Sequence, residues 1–352
     1  MSNFDAMKLA VEATMPNNTV LYDDKGLPSI MVRIPKFNIS DVLEGGSNSV
    51  HPAFVVNGVE VPEIYISKYQ NIVIDDRAYS LPMQDPRAYV TADQAKAYCE
   101  NKGAGWHRMT NAEWAAIAMW CLKNGFMPRG NNNYSRDISY PHEKGVVTYT
   151  YDNAVNGRVA TGSGAVTWAH NGTNAGIFDL NGNVWEEVAG MRLFNGEIQI
   201  IPDNNAAAGV DDSATSTLWK AIKPDGTLVA PGTAGTLKVD ATGANGSGAS
   251  VINTTITNQG VDDNTYMYNE FKSLTAKSGV TIPEIMKVLG LFPYSSDHGG
   301  DGFWARNNGE RLPIRGGDWD NGLASGVFAL YLHYPRSLSN HSVGFRSAFV
   351  NL

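Results

Sequence analysis

The C-terminal part of the chain alternates apolar and polar positions with a period of two residues, which is typical of a β-strand. Residues 327–334 are mostly β-formers. Phe328, Leu330 and Leu332 fall on one side of this run, which predicts that they face a core. Tyr331 falls on the other side and is expected to point outward. Similar runs predict strands at residues 31–35, 63–69 and 343–350.

Two segments have the period of a helix and begin with a capping box. Thr91 is followed three residues later by Gln94, and Thr110 by Glu113, so that side chains satisfy free backbone donors at each helix start. The first helix is expected to end near residue 101. The second presents apolar residues at positions 114, 117, 118 and 121, which form one face, and ends at Gly125. Residues 6–14 fit a further short helix.

The regions between these elements differ in composition. Residues 125–175 are rich in glycine and asparagine and are expected to form loops. Residues 191–300 interrupt the pattern and are interpreted as an insertion, either a surface excursion or a small packed subdomain. Its second half is predicted to hold two helices, one over residues 265–276 and one that starts at the capping sequence from Thr281 and ends at Gly290. Residues 1–30 are interpreted as an N-terminal arm, and residues 31–352 as one domain.

Composition and charge exclude several classes of function. The chain has 352 residues, 43% of them hydrophobic, which predicts a globular protein. A net charge of −8 argues against a nucleic-acid partner, because phosphate contacts need clustered Lys and Arg. No stretch is long and apolar enough for membrane insertion, and no secretory signal is visible at the N-terminus. The two cysteines, Cys99 and Cys121, are expected to be small buried residues rather than a disulfide framework.

Three sequence blocks carry a family resemblance. The block Arg315-Gly316-Gly317-Asp318-Trp319, followed by Gly344-Phe345-Arg346, resembles the C-terminal signature of the formylglycine-generating-enzyme-like branch of the C-type lectin fold. Residues 176–189, which contain Asn-Val-Trp-Glu, match a second family block. Residues 108–114 match a third, although Met109 replaces the usual Leu, the usual Pro is missing and Asn111 replaces a Glu. The resemblance implies an α+β, C-type lectin fold with a long insertion before the C-terminal region.

The residues interspersed in the C-terminal region make the resemblance more specific. Residues 311–350 are similar to the variable region of proteins diversified by diversity-generating retroelements, a group that includes phage receptor-binding proteins. The glycines of this region, with Trp319, Phe328, Phe345 and Arg346, are expected to fix the backbone and are here called the frame residues. Twelve positions fall between them and are expected to point outward: Asp318, Asp320, Asn321, Leu323, Ser325, Tyr331, His333, Tyr334, Leu338, Asn340, His341 and Ser342. All six residue types have codons that end in C and differ from the Asn codon AAC only at the first two positions. An ordinary polar loop face is the alternative interpretation.

The resemblance also implies a calcium site in the Asn-Val-Trp-Glu block. Its ligands would be the side chain of Asp179, the carbonyl groups of Gly182 and Val184, and the carboxylate of Glu186, since calcium takes several oxygen ligands. The alternative is that Asp179 and Glu186 only form hydrogen bonds that cap a turn and a strand. No cofactor is required for the expected function, with Ca²⁺ the one candidate.

A catalytic function is the main alternative class. Formylglycine-generating enzymes bind copper through two cysteines after the Arg-Gly-Gly block, and no cysteine occurs in residues 315–349. The seven histidines form no pair at helical spacing. We therefore expect a non-catalytic protein. The resemblance implies that it binds a protein or glycan receptor on a cell surface. It is expected to act on a virion, as in a phage tail, or at a cell surface, as a homotrimer that gains avidity. A fixed structural virion domain is a third alternative.

Overall fold

Two of the helices begin at the capping boxes that the sequence predicts. The computed structural model describes residues 3–152 and 154–352. Its helices are α1 (Asn3–Thr14), α2 (Ile39–Val42), α3 (Ala92–Glu100), α4 (Asn111–Lys123) and α5 (Glu284–Val288). Both predicted capping boxes are present: the hydroxyl oxygens of Thr91 and Thr110 accept hydrogen bonds from the backbone N–H of Gln94 and Glu113 at 3.3 and 3.1 Å. In the described residues, no helix is long and apolar enough to cross a membrane.

Twenty-five strands complete the described part of the chain. The first thirteen are β1 (Asn18–Tyr22), β2 (Pro28–Pro35), β3 (Val55–Val56), β4 (Val59–Glu60), β5 (Glu63–Ser67), β6 (Ile72–Ile74), β7 (Arg77–Tyr79), β8 (Trp106–Arg108), β9 (Thr150–Tyr151), β10 (Val155–Asn156), β11 (Trp185–Glu187), β12 (Met191–Phe194) and β13 (Glu197–Ile200). The others are β14 (Lys220–Ile222), β15 (Leu228–Val229), β16 (Lys238–Gly243), β17 (Ser247–Asn253), β18 (Met267–Glu270), β19 (Thr275–Ala276), β20 (Gly302–Ala305), β21 (Glu310–Arg311), β22 (Ile314–Gly316), β23 (Gly326–Leu332), β24 (Val343–Phe345) and β25 (Ser347–Phe349).

Two large sheets organise the fold. The first has the order β1-β2-β5-β25-β8, so the last strand of the chain lies between strands from its first third. The predicted arm reaches into this sheet, because β1 pairs with the start of β2. The second sheet has fourteen strands, with the main order β15-β14-β13-β16-β17-β18-β20-β23-β22-β11-β24. Strand β23, which carries the alternating run near the C-terminus, therefore lies between strands on both sides.

The insertion is a packed, β-rich continuation of the second sheet. Strands β12 to β19 lie within residues 191–300. The predicted helix over residues 265–276 is wrong: β18 and β19 lie there, and β18 pairs with β20 while β19 pairs with β17. Neighbouring strands override a weak local helical preference there. The second predicted helix is present as α5, but Pro283 is its N-cap and no side chain caps it.

The central core lies around α4 and one face of β23. Phe328, Leu330 and Leu332 are at most 1% exposed, which confirms their predicted inward orientation. The indole N–H of Trp114 on α4 donates to the carbonyl oxygen of Val327 at 2.7 Å and fixes the helix against the strand. Phe271, from the insertion, belongs to the same buried cluster. The insertion is therefore part of the core rather than a surface excursion.

The sequence blocks meet around one buried ion pair. The guanidinium of Arg346 donates to both carboxylate oxygens of Glu186 at 2.9 and 2.7 Å. It also donates to the carbonyl oxygens of Phe178 and Ser67 at 2.9 and 2.8 Å. The predicted final strand divides at Arg346 into β24 and β25. These features agree with the fold predicted from the sequence blocks, an α+β domain of the C-type lectin type. The two cysteines are free and buried.

Candidate ligand-binding surface

The twelve interspersed positions lie on β23, on the turn between β22 and β23, and on the loop between β23 and β24. Their burial divides them into three groups. Asp320 and Leu323 are exposed. Six are half-buried: Asn321, Tyr331, Tyr334, Leu338, Asn340 and His341. Four are buried: Asp318, Ser325, His333 and Ser342. The prediction that all twelve point outward is therefore wrong for these four.

The tight turn after β22 accounts for two of the buried positions. Gly317 has a φ of +85°, and a Cβ there would lie 2.2 Å from the hydroxyl oxygen of Ser325, so the chain closes on itself. The Ser325 hydroxyl donates to the Asp318 carbonyl oxygen at 3.2 Å. Burial of the Asp318 carboxyl, with Asp320 close by, holds its pKa well above its ordinary value. Asp318 is thus part of the turn rather than a free contact residue.

His333 is buried by aromatic neighbours. The rings of Tyr334 and Tyr266 lie 4.6 and 5.1 Å from the imidazole, centre to centre. Its Nδ1 atom has no hydrogen-bond partner among the described residues. Burial, together with the nearby Arg306, lowers the pKa of His333 to about 4, so the ring is neutral at neutral pH. His333 therefore packs as a neutral aromatic ring rather than as a charged group.

Tyr331 is the centre of a first aromatic cluster, here called the strand cluster. Its ring lies 5.2 Å from Trp185, 5.0 Å from Trp304 and 5.2 Å from Tyr334. Leu338 packs against the same group. Burial raises the pKa of Tyr331 above its ordinary value, so the phenol stays protonated and can donate. The cluster combines large apolar area with a few hydroxyl groups, which suits a contact surface.

His341 is the centre of a second cluster, the loop cluster. Its ring stacks on Tyr151 at 4.7 Å and lies 5.6 Å from Trp319 and 6.2 Å from Tyr149. The carbonyl oxygen of His341 accepts a hydrogen bond from Arg158 at 2.7 Å. The loop of residues 125–175 therefore touches the interspersed positions directly.

Sequence reasoning missed the tyrosines that surround the two clusters. Five of them are between 40% and 56% exposed, which is unusual for side chains of this size: Tyr89, Tyr134, Tyr151, Tyr266 and Tyr268. They lie in loops or in the insertion, where no periodicity singles them out. For four of them, all but Tyr89, the one available signal was the recurrence of tyrosine in segments that contain several asparagine or glycine residues.

Three of the four predicted calcium ligands, the carbonyls of Gly182 and Val184 and the carboxylate of Glu186, come together around a side chain of the protein, and the main-chain carbonyl of Asp179 stands there in place of its predicted carboxylate. The amide nitrogen Nε2 of Gln70 lies 3.2 Å from the Asp179 carbonyl oxygen, 3.4 Å from that of Gly182, 3.1 Å from that of Val184 and 3.0 Å from Oε1 of Glu186. The Asp179 carboxylate instead accepts from the backbone N–H of Gly162. These oxygens leave no room for a cation while the Gln70 amide stays among them.

The carboxylates of Asp179 and Glu186 differ in their hydrogen-bond partners. Both carboxylate oxygens of Glu186 are paired with Arg346. Burial raises the pKa of Asp179 to about 6, and its Oδ1 has no hydrogen-bond partner among the described residues. Across residues 3–152 and 154–352, no group of three or more His, Cys, Asp or Glu side chains is placed to hold a metal ion.

Comparisons with known proteins add the following. No family model matches the chain, and no curated protein matches its sequence. The structure is similar to that of Treponema denticola variable protein 1, with 12% identity over 95% of this chain and 99% of the other and a TM-score of 0.38. It is also similar to PvdO from Pseudomonas aeruginosa, with 15% identity over 94% of this chain and 97% of the other and a TM-score of 0.37. At these TM-scores neither likeness assigns a function to the chain.

Proposed function

We propose that the chain is a non-catalytic, variable ligand-binding protein that displays a diversified surface on a fixed α+β scaffold. One observation carries this proposal: the exposed and half-buried interspersed positions lie among exposed tyrosines, whereas the frame residues between them are buried. Trp319 is 2% exposed and Phe345 is fully buried. A frame of this kind keeps its backbone while outward side chains change, because the core does not contain them.

The chemistry of the surface suits recognition of a macromolecule. Tyrosine and tryptophan give a large contact area at a small loss of rotamer entropy. In this proposal the ligand is a protein or glycan receptor on a cell surface, and the chain acts on a virion or a cell surface. A trimer would multiply weak single-site binding. Calcium is not required for this function.

Sequencing of the 3′ end of the gene across its natural population tests the proposal. We expect substitutions to concentrate at the exposed and half-buried positions, such as Asp320, Asn321, Tyr331 and His341. The codons of Trp319 and the other buried frame residues serve as the internal control and should stay fixed. Variation that is absent, or spread evenly over both groups, would contradict a diversified binding surface.

A further inference from the structure

A strand from the insertion lies one strand away from β23, the strand that carries Tyr331. Strand β18 pairs with β20, and β20 pairs with β23. Tyr268 on β18 is opposite Trp304 on β20, and Trp304 is opposite Tyr331 on β23. Three aromatic residues from three neighbouring strands therefore form one row across the sheet.

The rings of this row face the same side of the sheet and touch. The ring centres of Tyr268 and Trp304 are 5.1 Å apart, and those of Trp304 and Tyr331 are 5.0 Å apart. Met267 is fully buried, so the alternation of the strand turns Tyr268 to the opposite, outer side. Tyr266 directly precedes the strand, and its ring lies 5.1 Å from that of His333. The two tyrosines are 46% and 42% exposed.

We propose that Tyr266, Tyr268 and Trp304 form a fixed aromatic wall of the ligand-binding surface, and that the partner which this wall fits is a protein. This inference rests on the proposed function and deepens it. The insertion then contributes constant contact area, while the neighbouring interspersed positions supply specificity. A binding surface with a constant anchor needs fewer favourable residues from each new variant to reach a useful affinity.

The residue types around the wall favour a protein partner. Protein interfaces are enriched in tyrosine and tryptophan and depleted in lysine. The cations close to the wall are Arg306 and Arg311, whose side chains are 9% and 5% exposed and both pair with Asp263. Neither presents a free charge, so contact energy has to come from aromatic burial. Such rigid aromatic side chains are the usual hot spots of protein recognition.

Display of the full chain on yeast tests this inference. The eight exposed or half-buried interspersed positions are randomised in three backgrounds: the natural wall, the double variant Tyr266→Ser and Tyr268→Ser, and the control Phe194→Ser. Phe194 is 42% exposed, like Tyr268, and its ring contacts no ring of the wall. Each library is selected against hen lysozyme as the protein probe and against dextran as the glycan probe. An epitope tag measures the amount of folded chain displayed.

We expect lysozyme binders from the natural-wall and Phe194→Ser libraries. Introducing Tyr268→Ser into each binder should weaken its Kd about tenfold or more, as loss of an interface aromatic does. Binders that keep their affinity in the Tyr266→Ser, Tyr268→Ser background would overturn the wall while leaving the proposed function intact. Binders to dextran alone would overturn the protein partner. If the natural-wall library yields no binder to either probe, the proposed function itself fails.

Discussion

Gln70→Glu is the substitution that most directly tests how the Asn-Val-Trp-Glu block is held together. Gln70 is fully buried, and its amide nitrogen lies within 3.0–3.4 Å of four oxygen acceptors. Its own oxygen accepts a hydrogen bond from Asn183 at 2.8 Å. The side-chain amide thus does for these oxygens what a bound cation would do, because its N–H groups carry partial positive charge.

The carboxylate of the variant would remove the donor and add a negative charge beside Glu186. An uncompensated buried charge costs about 3–5 kcal/mol. A divalent cation would reverse the effect, because the new carboxylate and the four existing oxygens make an oxygen-rich site of the kind that calcium occupies. Calcium at about 100 times its Kd would then restore about 2.7 kcal/mol.

Urea unfolding with excess EDTA or with millimolar calcium measures both effects. We expect the unfolding midpoint of the natural chain to be the same in the two buffers. Gln70→Glu should unfold at lower urea in EDTA and recover in calcium. Two controls accompany it: Gln70→Met, which lacks both donor and ligand and should lose stability equally in both buffers, and Gln84→Glu, an exposed Gln-to-Glu change with little effect in either.

Two results would refute this reasoning. A natural chain that gains stability in calcium would show that a cation, rather than the Gln70 amide, holds the four oxygens. A Gln70→Glu variant that is equally unstable in both buffers would show that the oxygens do not form a cation site even with the added carboxylate.

Three further predictions concern the scaffold. Phe328→Ala should lower the free energy of unfolding in urea by about 3–5 kcal/mol, because Phe328 is fully buried. Leu323→Ser, at a position that is 64% exposed, should change it by less than about 0.5 kcal/mol. Similar costs for the two variants would contradict the division between frame and surface. Burial raises the pKa of Asp301 to about 8, so the folded state keeps a proton that the unfolded state loses near its ordinary pKa of 3.8. The free energy of unfolding should therefore fall as the pH rises from about 4 to 8, by at most about 1.4 kcal/mol per pH unit. Asp301→Asn should flatten this slope. An unchanged slope in the variant would exclude Asp301 as its source. Arg346→Met should lower the free energy of unfolding by about 3–5 kcal/mol, because it leaves the Glu186 carboxylate buried without its partner. Adding Glu186→Gln should recover part of this loss. Additive costs in the double variant would argue against a coupled pair.

Short-range interactions that can be predicted from the sequence determined most of the frame. The capping boxes at Thr91 and Thr110 place α3 and α4, because each satisfies backbone donors within four residues and needs no distant partner. The period of two residues around Phe328 placed the buried face of β23 for the same reason. Gly316 and Gly317 adopt positive φ values, which glycine reaches without the steric cost that other residues incur.

Only the tertiary structure decided which outward positions remain accessible and what surrounds them. His333 has the sequence phase of an exposed residue, yet Tyr266, 67 positions earlier in the chain, covers it. Residues 265–276 form strands rather than a helix because β17 and β20 provide edges for them to pair with. The amide of Gln70 reaches the Asn-Val-Trp-Glu block from more than a hundred residues away. Each of these outcomes depends on contacts between distant segments, which no local pattern of residues records.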